Sequence, residues 1–208
     1  MSQKVTETIK KYISEVSATL ERLPIENIAQ VIELLEEARL KAKRVFIFGN
    51  GGSAATASHF AADLSKGAIS KGKARIKAFA LTDNVPLLTA WANDTVYENI
   101  FAEQLENLIE PGDIAIGISG SGNSPNVLNG VKVARAKGAT TIGFIGFDGG
   151  KLKNMVDICV VAPSHSMEQI EDIHLLLCHL ITNCLRNMPM NIEHRTLNIE
   201  HRTLNIEP

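Results

Sequence analysis

What this sequence has little of is the first guide to it. Cysteine is scarce: Cys159, Cys178 and Cys184 are the only three in 208 residues, and no CxxC spacing occurs. That excludes a disulfide framework, and thiols in such apolar surroundings are expected to be buried and reduced. Long apolar runs are absent, and no stretch approaches the ~20 residues that a spanning helix needs. The N-terminus, MSQKVTETIKKYISEV, is charged throughout and lacks the apolar core of a secretory signal. A cytoplasmic protein away from the membrane is the expectation. An excess of either charge is also missing: 21 Lys and Arg stand against 23 Asp and Glu, for a formal net charge of -2. General nucleic-acid binding, which needs a basic excess to displace counterions, is therefore not expected. A small anion site, which needs only a few donors, stays open.

The rest of the composition is that of an ordinary globular chain. Apolar residues make up 45% and charged residues 21%, which excludes a disordered chain. The length suits one domain with a core of its own. Residues 1–43 read as two helices. Val5, Ile9, Tyr12, Ile13, Val16 and Leu20 recur at helical spacing, and Pro24 is placed to open the second helix at its first position. From residue 44 the pattern alternates. Apolar runs at 45–48, 76–81, 114–118, 141–145 and 158–161 are separated by helical stretches at 53–65, 95–108, 125–137 and 167–187. Strands joined through helices imply parallel pairing, and continuous apolar strands imply a sheet covered on both faces. The spacing predicts an α/β three-layer sandwich, with a five-stranded parallel sheet, flanking helices and an added N-terminal helical pair. Residues 1–188 form its single domain. After Met188-Pro189 the heptapeptide NIEHRTL occurs twice and begins a third time. This tail, too short for a stable coiled coil, is expected to be disordered, with His194 and His201 solvated.

Ligands of an open parallel sheet bind beyond the carboxyl ends of its strands. Two loops there are unusual. Gly49-Asn50-Gly51-Gly52-Ser53 joins a strand to a helix, with Ser53 as an expected N-cap. Gly117-Ile118-Ser119-Gly120-Ser121-Gly122-Asn123-Ser124-Pro125 does the same, with Ser124 as N-cap and Pro125 following it. Both are either tight turns or a cradle in which amides and three hydroxyls surround one anion without lysine or arginine. GNGGSA also fits a dinucleotide fingerprint, but the next strand-end acid, Asp83, comes over 30 residues later, where the fingerprint wants about 20.

Three further features carry chemistry. His59 and Asp63 stand four apart, on one helical face, as a metal or substrate pair or as a plain helix contact. The last helix carries Glu171, His174 and His179 in an apolar run; Glu171 and His179 are eight apart, ~12 Å along the axis, too far to chelate one ion as helical neighbours. His174 reads as a core or interface histidine. Asn93 and Asp94 precede the 95–108 helix, where Asp94 serves as N-cap or as a polar hook on the ligand.

The segments VFIFGNGGSA, AWANDTVYENIF, ISGSGNSPNV, GFIGFDGGKL and EDIHLLLCH resemble the SIS (sugar isomerase) phosphosugar-binding fold, which is flavodoxin-like, and within it the phosphoheptose isomerases. The resemblance covers residues 1–188. It implies that Asn50, Gly51, Gly52 and Ser53 hold the sugar, with Asn93, Asp94 and Glu168 nearby. Ser119, Gly120, Ser121 and Ser124 would take its phosphate. It implies a metal, usually zinc, at His59, Asp63, Glu171 and His179. Two of those positions depart from the family pattern: its Glu is Asp63 here and its Gln is Glu171. An arginine of the family aligns with Gly67, beside Lys66. The implied activity is an aldose–ketose isomerisation of sedoheptulose 7-phosphate, through an ene-diol formed by a carboxylate base, Asp63 or Glu171, with His179 as acid. The implied assembly is a homotetramer with pockets between subunits. The alternative is a non-catalytic SIS module that binds a sugar phosphate or a protein partner.

Overall fold

Five strands carry the fold: β1 (Arg44–Gly49), β2 (Lys77–Ala80), β3 (Ile114–Ser119), β4 (Thr140–Ile145) and β5 (Ile158–Val161). They pair in parallel in the order β2-β1-β3-β4-β5. The computed structural model describes residues 3–189; the NIEHRTL tail and its histidines lie outside the described residues. Strands β1, β3 and β4 are buried almost end to end, as continuous apolar runs require. The edge strands are shorter and half exposed, and β2 spans less than its apolar run suggested because only one neighbour pairs with it.

Side-chain alternation divides the core into two layers. Val45, Ile47, Ile114, Ile116, Ile118, Ile142 and Phe144 face α2 (Ile25–Leu40), α3 (Gly52–Ala62) and α7 (Met167–Asn187). Phe46, Phe48, Ala115 and Ile145 face α5 (Ala102–Leu108) and α6 (Pro125–Ala136). The expected sandwich is present. The N-terminal helix α1 (Gln3–Leu20) lies outside it and buries only Thr19. Polar contacts hold it to α7: Tyr12 Oη donates to Asp172 Oδ2 at 2.5 Å and Gln169 Nε2 to Glu15 Oε2 at 2.9 Å. Val5, Ile9 and Ile13 remain exposed along its length.

Four local expectations are corrected. Pro24 stands one residue ahead of α2 rather than as its first residue. The 53–65 helix divides, because α3 ends at Ala62 and the chain widens into a π-helical turn, Asp63–Gly67, closed by Ala68 N–H to Asp63 O. The 95–108 helix is in fact two pieces, a 3₁₀ turn (Tyr97–Asn99) and α5, and a helix not expected from the sequence, α4 (Val85–Asp94), precedes them. Asn84 caps α4 by accepting from Leu87 N–H, with Pro86 in the first turn. Asp94 therefore ends a helix and caps none. Thr95 stops α4 by leaving helical geometry and turning its hydroxyl back onto Trp91 O.

His174 is a core residue, 1% exposed, whose Nε2–H donates to Ile145 O at 3.1 Å. Burial pushes its pKa down to about 4, against the opposing pull of that hydrogen bond. Burial likewise raises the thiols of Cys159 and Cys178, so both stay protonated. The unfolded chain takes up a proton at His174 near pH 6.5, whereas the folded chain resists until about pH 4. The stability contributed by neutral His174 is thus full above pH 6.5 and is lost as pH falls through that window, by about 3 kcal/mol in all. Urea midpoints measured from pH 7 to pH 4 should fall less steeply for His174→Gln, which keeps a donor but does not titrate. Equal slopes would contradict this.

Candidate active site

The strand order reverses direction between β1 and β3, which pair through Gly49 and Ile118 at their carboxyl ends. From there β1 runs into α3 on one face and β3 into α6 on the other; α3 packs on α7 and α6 on α5. The two diverging loops open a crevice at the topological switch point, the place where open α/β sheets bind ligands.

The first loop turns at Gly51, whose φ of 55° is left-handed and suits glycine. Gly51, not Ser53, is the N-cap of α3; Ser53 sits buried inside the first turn. Gly52 leaves room for a carboxylate. A Cβ built there would stand 2.5 Å from Glu171 Oε1 and 2.6 Å from Oε2. Glu171 therefore lies against the start of α3, where the helix dipole favours a negative charge.

The second loop gathers hydroxyls. Ser124 is the N-cap of α6 with Pro125 next, as expected, but its Oγ pairs with Ser119 Oγ at 3.2 Å instead of bonding the helix backbone. Ser121 Oγ accepts from Asn123 N–H at 3.2 Å. The GFDGGKL segment braces this loop: Gly146 N–H donates to Gly120 O, Leu152 N–H to Gly122 O and Lys151 N–H to Asn123 Oδ1.

A pair of amides ties the two loops together. Asn50 Nδ2 donates to Asn126 Oδ1, and Asn126 Nδ2 donates back to Asn50 Oδ1, both at 2.8 Å. Tyr97 Oη adds a donor to Asn50 Oδ1 at 3.2 Å. Sequence reasoning did not single out Asn126 or Tyr97, although both lie inside the SGNSPNV and ANDTVYENIF stretches. Asn93 and Asp94, at the exposed end of α4, bond each other at 2.8 Å.

The metal-type cluster forms where α3 meets α7. His59 Nε2 lies 2.8 Å from His179 Nε2 and 3.3 Å from Asp63 Oδ2, with His179 Nε2 3.8 Å from the same oxygen. The π-helical turn begins at Asp63 and keeps it one turn from His59. Zinc bound by nitrogen and oxygen at 2.0–2.2 Å separates tetrahedral ligand atoms by ~3.4 Å. The three spacings straddle that value, and two imidazoles with one carboxylate are a fitting donor set with room for a fourth ligand. Glu171 is not in this group. It sits two turns away from His179 along α7 and faces Gly52, so the four-ligand expectation is not met within one chain. Glu168, in the first turn of α7, accepts from Ser166 Oγ at 2.7 Å, which pulls its carboxyl below the ordinary range. Lys66 is exposed on the π-helical turn.

No helix among the described residues is long and apolar enough to cross a membrane. Comparison with known proteins agrees with the geometry. The SIS domain family profile matches residues 11–146. The chain is 40% identical to the phosphoheptose isomerase of Aquifex aeolicus over 88% of its own length and 96% of that protein's. It is 40% identical to a probable phosphoheptose isomerase of Thermoplasma acidophilum over 83% of its length and 94% of that protein's. The solved phosphoheptose isomerase of Neisseria gonorrhoeae superposes with a TM-score of 0.81 at 32% identity, over 87% of this chain and 98% of that one. The chain belongs to the SIS-domain family, in its phosphoheptose isomerase branch, and is a sugar-phosphate isomerase.

Proposed function

We propose that the chain interconverts sedoheptulose 7-phosphate and the corresponding aldoheptose 7-phosphate, in the cytoplasm, where its three thiols stay free. The observation that carries this reading is the His59–Asp63–His179 cluster, formed about two turns along the helix that leaves the first loop of the switch point. The phosphate is assigned to Ser119, Ser121 and Ser124 at the start of α6. The start of α3 already faces a carboxylate, Glu171, so a second anion there would be repelled. The sugar then lies along Asn50, Gly51 and Gly52, with Asn93, Asp94 and Glu168 at the rim and its reactive end toward α7.

His59, Asp63 and His179 would hold a zinc ion, which when bound polarises the oxygens on the two reacting carbons. With Asp63 engaged between two imidazoles, Glu171 is the better base. Its carboxylate takes a proton from C1 of the ketose, leaving an ene-diolate whose charge rests on the C2 oxygen. It returns that proton to C2 as the hydroxyl proton of the C1 oxygen passes to the C2 oxygen, giving the aldehyde and the C2 hydroxyl. One carboxylate thus serves both carbons, and His179 keeps its place in the metal cluster.

Removal of the base by Glu171→Gln is expected to lower kcat on sedoheptulose 7-phosphate by about 10²- to 10⁴-fold while bound zinc stays stoichiometric. His59→Ala and His179→Ala should each lose both metal and turnover, read by elemental analysis and a product assay. Turnover unchanged in both histidine variants would overturn the reading.

We also propose a homotetramer. The exposed Val5, Ile9 and Ile13 of α1 support it, because an amphipathic helix whose apolar face meets only water leaves that face free for another copy. Light scattering is expected to give about four chains for the wild type and fewer for the Ile9→Asp, Ile13→Asp double variant. An unchanged mass in that variant would remove α1 from the interface.

A further inference from the structure

We propose that Asn126 is a positioning residue: its buried amide determines which atom of Asn50 the crevice offers to the sugar. The inference rests on the reading above that Asn50 contacts substrate, and it goes beyond that reading in naming what sets the contact.

Asn126 lies in the first turn of α6 and is 1% exposed. The Val127 backbone N–H, which can only donate, gives its hydrogen to Asn126 Oδ1 at 2.9 Å. That bond fixes the orientation of the Asn126 amide, since the reversed orientation would set N–H against N–H. Asn126 Oδ1 must then receive Asn50 Nδ2, and Asn126 Nδ2 must donate to Asn50 Oδ1. Tyr97 Oη takes the second lone pair of that oxygen. The Asn50 side chain is left with a single unused valence, one N–H of its amide. It offers the sugar a donor and never an acceptor, so the group it recognises is a substrate oxygen with a free lone pair. The same reciprocal pair spans two loops whose chains leave the sheet on opposite faces, and so sets the width of the crevice between them.

Asn126→Asp tests this most closely, because it is isosteric and keeps an acceptor for Val127 N–H. It replaces the donor facing Asn50 Oδ1 with an oxygen, which leaves the Asn50 amide without a satisfied orientation. Asn126→Ala is the second variant, in case the added charge disturbs folding. The assay is steady-state turnover of sedoheptulose 7-phosphate by the zinc-loaded protein, made in the wild-type and Asn50→Ala backgrounds. In the wild-type background kcat/KM should fall about 10- to 100-fold, mostly through KM, with bound zinc unchanged. In the Asn50→Ala background the same substitution should cost no more than about twofold, since Asn126 acts through Asn50. Additive losses in the two backgrounds, or no loss in the wild type, would overturn the proposal. If Asn50→Ala alone left kcat/KM unchanged, the assignment of Asn50 to the substrate would fall, and the proposal with it.

Discussion

Everything at the site depends on one constraint of chain geometry. Neighbouring strands β1 and β3 end side by side, yet their helices must cover opposite faces of the sheet. The two loops therefore part at once, and the start of each following helix is left beside a crevice with unpaired backbone amides. The strands on either side are buried along their length, which makes the sheet a rigid base for these loops.

The two helix starts are not equivalent, and the difference divides their work. At α3 the glycine turn makes room for Glu171, so the positive end of that helix already faces a carboxylate. At α6 the side chains are neutral hydroxyls, and the capping serine points at Ser119 instead of its own backbone. A dianionic ester is drawn to the second and repelled from the first. In the proposed reading, a sugar held at one end by the hydroxyl loop lies with its other end toward Glu171 and the histidine cluster. Glu171, where the family resemblance implies a Gln, supplies a charge at the point where the proposed reaction needs a base. Asp63, where the resemblance implies the longer Glu, reaches both imidazoles.

Much of this was legible in the sequence. Apolar runs alternating with helical stripes gave the parallel sheet and its two covered faces, because burial on both sides demands continuous hydrophobicity. The His59–Asp63 pair was legible because helical spacing alone sets two side chains one turn apart, and the arrival of His179 beside them followed from the family pattern. The exclusion of Glu171 from the cluster was half legible: its rise along α7 was computable, but its seat over Gly52 depends on how α7 packs on α3. The helix α4 was missed because its apolar residues, Val85, Leu87, Leu88 and Trp91, follow closely on the β2 run, and its start signals, Asn84 and Pro86, are single residues. The wrong cap at Ser53 came from weighing the residue's chemistry above the loop's need for a left-handed glycine. Asn126 was invisible because an asparagine after Ser-Pro reads as ordinary first-turn polarity, and its partner is 76 residues away.

The most direct test is a crystal structure of the zinc-loaded protein with sedoheptulose 7-phosphate. The account predicts the ester phosphate within hydrogen-bond reach of the Ser119, Ser121 and Ser124 hydroxyls, and C1 and C2 beside the Glu171 carboxylate. A phosphate seated at Gly51–Ser53 instead, or a sugar whose reactive carbons face away from α7, would contradict it.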